Sequence, residues 1–360
     1  MSSQNNFRNL VNSFRKHWDV LFFLAGFLFD VITIGEVDDR FNLISQGLYL
    51  FFACSLLIYS FIDLENNRFK ESKIFQLFVK YYDLIFHFSI GSLLSVFTIF
   101  YFKSSSILNS FIFLFIIVSF MIANELPAFV KFGKYFKSTL VGICIVSYFS
   151  YLSPIFLGEV GKSSFFFGLI ISVAFIAILN FVYKKILKRS VLKEFALSSS
   201  LACLFFLVFY ILKVLPPIPV AIKDIGIYQK IVRSNYEYRC YHQKPWWKFW
   251  HKGDQDFYFD DKSIIHLFFA IYSPSSFSDS VIVQWSTKIN GKWIKSDQIP
   301  VKIVGGRSGG FRGVTYKKNF TAGKWRASVL TKDNREVGSI KMNVIKADSI
   351  DRSSYTVDTF

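Results

Sequence analysis

The chain has 360 residues, of which 52% are hydrophobic and only 19% charged, and it carries 45 Phe. A water-soluble globular chain carries about 25% charged residues, so this composition excludes an ordinary soluble protein and calls for a membrane class. The net charge of +17 comes from 19 Lys+Arg against 12 Asp+Glu over residues 1–215 and 23 against 13 over 216–360. No nucleic-acid motif accompanies it, so the excess argues for helix orientation and contact with anionic headgroups rather than for a nucleic-acid partner.

A bilayer span needs about 20 mostly apolar residues. Seven segments approach that length: 17–35, 42–62, 82–102, 106–124, 139–158, 164–183 and 195–215. The first follows Arg15 and Lys16 as a signal peptide would, but it lacks a small-x-small cleavage site and reads as a retained helix. The segment before the first span and the loops after the second, fourth and sixth hold 15 basic residues. The alternate loops hold three: Arg40, Lys103 and Lys162. Basic residues accumulate on the cytoplasmic side, so the split places the N-terminus in the cytoplasm and, after seven crossings, everything beyond residue 215 outside it.

Two cytoplasmic loops are amphipathic. Lys131, Lys134 and Lys137 recur among Phe129, Phe132, Tyr135 and Phe136, and Phe69–Tyr82 sets Lys70, Lys73 and Lys80 against Ile74, Phe75, Leu77 and Phe78. Both suit the headgroup plane, as surface anchors or as helix ends dipping into it. Ionisable groups at membrane depth are costly, and each is a candidate functional residue. Asp30 lies late in the first span, with Glu36, Asp38 and Asp39 beyond it. Asp83 and His87 share a helical face, and Asn124 and Glu125 end the fourth span before Pro127. A transporter or intramembrane enzyme would use Asp30, Asp83, His87 and Glu125 as a carboxylate–imidazole relay, whereas a structural role needs only helix capping and interhelical hydrogen bonds. The inverted repeat common in transporters is not apparent.

Leu215-Pro-Pro-Ile-Pro219 ends the last span, because Pro cannot continue a helix. Beyond it the apolar period becomes alternating. SVIVQWSTKI at 280–289 is followed by Asn290-Gly291, a strong hairpin signal, and then by KWIKSDQIPVKI. Segments 264–272, 311–317, 324–330 and 337–345 are also strand-like, and Asp333-Asn334 turns the last pair. Six to eight strands in this length predict an antiparallel, immunoglobulin-like sandwich. The fold class is therefore an all-α membrane bundle over 1–215, an all-β domain over 216–346 and a polar, frayed tail over 347–360.

Two features of the β-domain are candidate binding sites. Pro245-Trp-Trp-Lys-Phe-Trp250 brings Trp246, Trp247 and Trp250 together, suited to the outer leaflet, to an aromatic platform for a sugar or peptide, or to packing. Gly305-Gly-Arg-Ser-Gly-Gly-Phe-Arg-Gly313 frees the backbone at Gly306 and Gly310. It also offers Arg307 and Arg312 to an anion or a partner, although the same glycines suit a bulged turn. Cys54, Cys144, Cys203 and Cys240 show no metal-ligand spacing, and His242, His251 and His266 have no evident acid or Ser partner. No catalytic residue, metal or cofactor is expected.

The stretch VGGRSGGFRG and then TYKKNFTAGKWRASVLTKDNREVGSIKMNV resembles a bacterial domain of unknown function, family 2914. The similarity extends to PPIPVAIKDIGIY, PWWKFW and VQWSTKINGKWIKSDQIPVKIVGG, and upstream to FLFDVITIGEVDD and ANELP. Glu36 departs from the pattern, standing where a basic or neutral residue is expected. The resemblance implies a protein of the bacterial inner membrane with this domain periplasmic or extracellular. It implies no activity, leaving the lipid bilayer and an envelope protein or glycan as expected partners.

Overall fold

The long apolar runs before Pro216 are helical, a form that satisfies backbone polar groups within the segment as a hydrocarbon setting would require. The computed structural model describes residues 27–28, 30–32, 34, 39–61, 73–126, 133–234, 237–248, 250–274, 277–304, 310–347 and 355–360. Two compact units result. One comprises Met1–Phe100, Phe111–Leu152 and Phe166–Leu212; the other comprises Tyr101–Ser110, Ser153–Phe165 and Lys213–Phe360.

The helices are α1 (Arg40–Tyr59), α2 (Lys73–Lys103), α3 (Ile107–Glu125), α4 (Gly133–Leu157), α5 (Lys162–Leu187) and α6 (Ser198–Ile211), the last entered through a π-helical turn, Leu192–Leu197. Among the described residues, five stretches are long and apolar enough to cross a membrane: Arg40–Tyr59, Tyr81–Lys103, Gly133–Leu157, Lys162–Leu187 and Leu192–Ile211. Asn109–Glu125 is apolar but shorter. These six match the second to seventh expected spans. Within the first, residues 27, 28 and 30–32 are helical, and nearly all the rest lies outside the described residues.

Asp39 caps α1, its Oδ1 accepting from the Phe41 N–H at 3.3 Å. On α2, Phe86, Ile90, Leu93, Leu94 and Phe97 are buried at helical spacing, while Leu84, Phe111, Phe115, Ile170, Ile178 and Phe181 stay exposed on α2, α3 and α5. Lipid-facing helices require such an apolar exterior. Small residues bring α4 and α6 together: Ser199 Oγ donates to the Ser138 carbonyl at 2.9 Å. A Cβ on Gly142 would lie 2.6 Å from the Ser199 carbonyl oxygen. Residues 73–82 are no separate surface helix, because α2 runs through them. Lys134 and Lys137 lie in the first turns of α4, and Lys131, Phe129 and Phe132 lie outside the described residues.

The described residues of the second unit form the strands β1 (Ala221–Tyr228), β2 (Lys230–Ser234), β3 (Glu237–His242), β4 (Asp256–Phe259), β5 (Ile265–Tyr272), β6 (Ser278–Ile289), β7 (Lys292–Val304), β8 (Phe311–Lys317), β9 (Gly323–Thr331), β10 (Glu336–Lys346) and β11 (Thr356–Thr359). They form sheets ordered β1-β5-β8, β4-β10-β9-β6-β7 and β11-β3-β2. Asn290 (φ 49°) and Gly291 (φ 80°) turn β6 into β7, as a two-residue hairpin requires.

β5 explains the layering. Its residues Ile265, Leu267, Phe269 and Ile271 share a core with Val281, Val283, Trp285, Trp325, Ala327 and Val329 of the five-stranded sheet. On its other face, Phe268 and Ala270 pack with Tyr228 and Cys240. A strand buried on both faces reads as a continuous apolar run rather than as an alternation, as LFFAIY does.

Three findings correct the expected sandwich. A third sheet is present; β4 pairs parallel to β10; and the C-terminal residues, expected to fray, form β11 against β3. Phe360 follows β11 and stacks on Phe268 at 4.3 Å between ring centroids, and that apolar anchor fixes the polar strand before it.

Candidate functional site

In the helical unit, Asp83, His87, Gly91 and Ser95 recur every fourth residue along α2. They form one polar stripe about 18 Å long. Asp83 Oδ1 pairs with Lys137 Nζ at 2.6 Å. The buried Lys137 ammonium also lies 4.8 Å from the Tyr82 ring centroid and 5.4 Å from that of Phe86. One turn on, His87 Nδ1 lies 2.8 Å from Asn124 Oδ1, and Asn124 Nδ2 donates to the His87 carbonyl at 2.9 Å and to Glu125 Oε1 at 3.0 Å. Because Nδ2 donates, Oδ1 accepts, and the His87 proton sits on Nδ1. Gly91 leaves room for the Glu125 carboxylate, since a Cβ there would lie 2.8 Å from Oε1. Ser95 Oγ donates to Asp30 Oδ2 at 2.6 Å.

The structure therefore joins His87 and Glu125 through Asn124, gives Asp83 a cation that sequence reasoning overlooked, and ties Asp30 to Ser95. Lys137 reads in sequence as part of a surface stripe. It reaches Asp83 because α4 carries it there. Apart from the Asn124–Glu125 bond within α3, each contact binds one helical segment to another, as polar side chains do in bundles of apolar helices.

Arg312 and Gly310 lie at the start of β8, where Gly310 has φ 75° and a Cβ would meet the Ile271 carbonyl oxygen at 2.7 Å. Gly306 and Arg307 lie outside the described residues. Trp246, Trp247 and Trp250 are exposed by 89%, 50% and 61%. Lys248 lies 5.3 Å from the Trp247 ring centroid and pairs with Asp256 at 3.3 Å.

Two constellations escaped sequence reading. One surrounds His242, which lacks an obvious partner in the sequence but has an acid in the fold. His242 Nε2 lies 3.3 Å from Asp358 Oδ1, and Nδ1 lies 2.9 Å from Thr356 Oγ1. Tyr228 OH donates to Asp358 Oδ2 at 3.2 Å. Burial pushes the Asp358 carboxyl up, but the hydrogen bond and charge of His242, with Lys244 and Tyr228, outweigh it and hold the group below its ordinary range. Thr356 sits directly opposite His242 in register, so the row pins β11 to β3. Nearby, Asp254 is 1% exposed and burial pushes its carboxyl up to about 7.

The other is a groove of about 320 Å³ in the five-stranded sheet, lined by Gln255, Lys288, Trp293, Lys324, Lys341 and Asn343, with Trp325 and Met342. Register builds it: Lys288 lies opposite Trp293, and Lys324 lies opposite Asn343. These lysines are scattered in sequence across three strands, so only the pairing gathers them. Among the described residues, none of the three forms an ion pair, and no His, Cys, Asp and Glu cluster fit for a metal occurs.

Residues 278–344 match the model of a family described as protein of unknown function (DUF2914). No curated protein matches the chain. Among solved structures, an immunoglobulin-like protein from Pseudomonas aeruginosa is similar at 12% identity, over 35% of this chain and 95% of that one, with a TM-score of 0.22. A Pseudomonas fluorescens alkylpurine DNA glycosylase, AlkC, bound to DNA containing an abasic site analog, is similar at 11% identity, over 83% of this chain and 77% of that one, also with a TM-score of 0.22. Superpositions this loose carry no functional argument.

Proposed function

We propose that the chain is a non-catalytic protein of a bacterial inner membrane, in which seven spans anchor an immunoglobulin-like β-domain outside the cytoplasm for binding an envelope partner. The reading rests on the make-up of the β-unit. It includes Tyr101–Ser110 and Ser153–Phe165, the two loops that the distribution of basic residues assigns to the outer side. Within that unit the Ser106 hydroxyl donates to Glu336 Oε1 at 2.7 Å. The Val160 N–H donates to Asp279 Oδ2 at 2.9 Å, and the Ser278 N–H to the Gly158 carbonyl at 3.2 Å. Segments so bonded share a side, and their few basic residues favour the outside. The exposed Trp246, Trp247 and Trp250 supply rings suited to a leaflet surface or partner.

The competing reading is a transporter or intramembrane enzyme working through Asp30, Asp83, His87 and Glu125. Complementation of a deletion strain separates the two. The binding reading expects the double variant Asp30→Asn, His87→Gln to restore the phenotype once inserted, and truncation after Lys213 to abolish it. Loss of function in the double variant at normal membrane abundance, with function retained by the truncation, would overturn it.

A further inference from the structure

The helical unit carries an apolar crevice of about 380 Å³ between α1, α4 and α5. Leu50, Cys54 and Tyr183 form its buried floor, and Phe51, Ser55 and Val182 stand exposed at its rim. It runs along α1 from Gly47 to Ile58, about 16 Å at the helical rise. Ile58 lies beside the last residue of α1, Tyr59. The crevice therefore reaches from a helix end to the depth of one leaflet, half of a hydrocarbon core about 30 Å thick.

Its walls leave nothing polar to satisfy. The Tyr183 hydroxyl donates to the Cys54 carbonyl at 2.6 Å, the Tyr148 hydroxyl to the Leu43 carbonyl at 3.4 Å, and the Ser55 hydroxyl to the Phe51 carbonyl at 2.8 Å. All three hydroxyls of the lining are thus engaged by helix backbone. A peptide or a saccharide laid here would leave its own polar groups unpaired in an apolar setting, at a cost of several kcal/mol for each group. A hydrocarbon chain leaves none.

The end of the crevice is basic. Lys184 and Lys185 lie in the last turn of α5, directly after Val182 and Tyr183, and among the described residues neither forms an ion pair. Arg189 Nη2 donates to the Phe61 carbonyl at 2.9 Å, which brings a further cation to the end of α1. Glu194 is already shared between Lys134 at 2.7 Å and Arg189 at 3.1 Å. Segments 61–72 and 184–194, which flank this end, hold seven basic residues against four acidic. Such an excess beside helix ends attracts an anionic headgroup. The first expected span is held elsewhere, because Asp30 Oδ2 accepts from Ser95 on α2, a helix that contributes nothing to the crevice.

We infer that this crevice binds an acyl chain of an anionic phospholipid whose phosphate is held by Lys184 and Lys185. The inference goes beyond the role proposed for the β-unit. It concerns the helical unit alone and holds whichever side of the membrane the β-unit occupies.

The test is native mass spectrometry of the full chain released from a zwitterionic detergent. The probes are dioleoylphosphatidylglycerol, dioleoylphosphatidylcholine and dihexanoylphosphatidylglycerol. The first binds about tenfold or more tightly than either of the others, a difference of about 1.4 kcal/mol. Ser55→Trp fills the crevice from its exposed rim and weakens binding by a similar factor. Ile178→Trp, exposed on α5 but outside the lining, leaves it unchanged. K184Q with K185Q removes the preference for the glycerol headgroup and leaves the affinity of the choline lipid as it was. Val182→Trp, also at the rim, serves if Ser55→Trp fails to insert. Equal binding by the rim variant and Ile178→Trp overturns the inference. Binding of the dihexanoyl lipid as tight as that of the dioleoyl lipid does so too, as does a headgroup preference untouched by the two lysine changes. A dimer that the rim variant alone converts to monomer also overturns it, by reassigning the crevice to a helix of a second copy.

Discussion

Asp254 offers the sharpest energetic test. Its carboxyl is 1% exposed, and Oδ1 accepts the Gln243 N–H at 2.8 Å while Oδ2 is buried without a partner among the described residues. Burial dominates its environment. The Gln243 bond and the charges of His242 and Lys244 pull the other way, and Asp256 adds to the upward push, leaving the group at about 7 against an ordinary 3.8. The folded state thus holds its proton more tightly than the unfolded chain does. The resulting stability is fully present below the unfolded value and is lost as pH rises through about 7. The charged form then costs about 4 kcal/mol at pH 8 but less than about 1 kcal/mol at pH 4. Asp254→Asn keeps an acceptor for Gln243 and removes the titration. The variant should therefore be more stable than the parent at pH 8 by up to about 4 kcal/mol, a rise in melting temperature on the order of 10 °C, with the advantage nearly gone at pH 4. Tryptophan fluorescence of the full chain in micelles reads this directly, since six of the 7 Trp lie at residue 246 or later. Parallel stability–pH curves for parent and variant would refute the reasoning.

Three other perturbations follow from the same packing. Deleting residues 355–360 removes β11 and the Phe360–Phe268 stack, and should cost about 3 kcal/mol in the same fluorescence melt. An unchanged midpoint would mean the strand is not anchored. Gly142→Val drives a side chain into the Ser199 backbone, 2.6 Å from the first added carbon. It should destabilise the helical unit by about 3 kcal/mol, read as a lower melting temperature in detergent, while Gly161→Ala, with nothing within 4 Å, leaves it unchanged. Gly310→Ala combines φ 75° with a contact of 2.7 Å to Ile271 and should destabilise the β-unit by about 2 kcal/mol, visible as faster hydrogen exchange in β5 and β8.

Where the chain's own period carried the information, structure was legible. Apolar runs of about span length located α1 to α6, although α2 begins nine residues before its run and α4 six, and Asn290-Gly291 and Asp333-Asn334 placed two turns of the β-unit. β1, β2, β3, β4 and β11 were not anticipated: β1, β4 and β11 pair with strands far along the chain, and the adjacent β2 and β3 carry no sustained apolar alternation. Thr356–Thr359 reads as polar tail, and only its pairing with β3 and the ring of Phe360 make it a strand. The site shows the same division. Asp83 and His87 announced themselves as ionisable groups in an apolar run, yet Lys137, which pairs with Asp83, sat among lysines that orient helices. His242 found its acid 116 residues later in sequence, and the groove lysines were alternating residues on separate strands until register aligned them.

Placement of the β-unit outside the cytoplasm is the claim on which the proposed envelope role depends. Paired fusions after Phe360 test it most directly. Alkaline phosphatase is active only when exported, and a green fluorescent reporter sent unfolded through the general secretion route is fluorescent only when retained. An odd number of spans with a cytoplasmic N-terminus gives an active phosphatase and a dark fluorophore. A bright fluorophore with an inactive phosphatase would contradict the account, leaving an even number of crossings and a cytoplasmic β-unit.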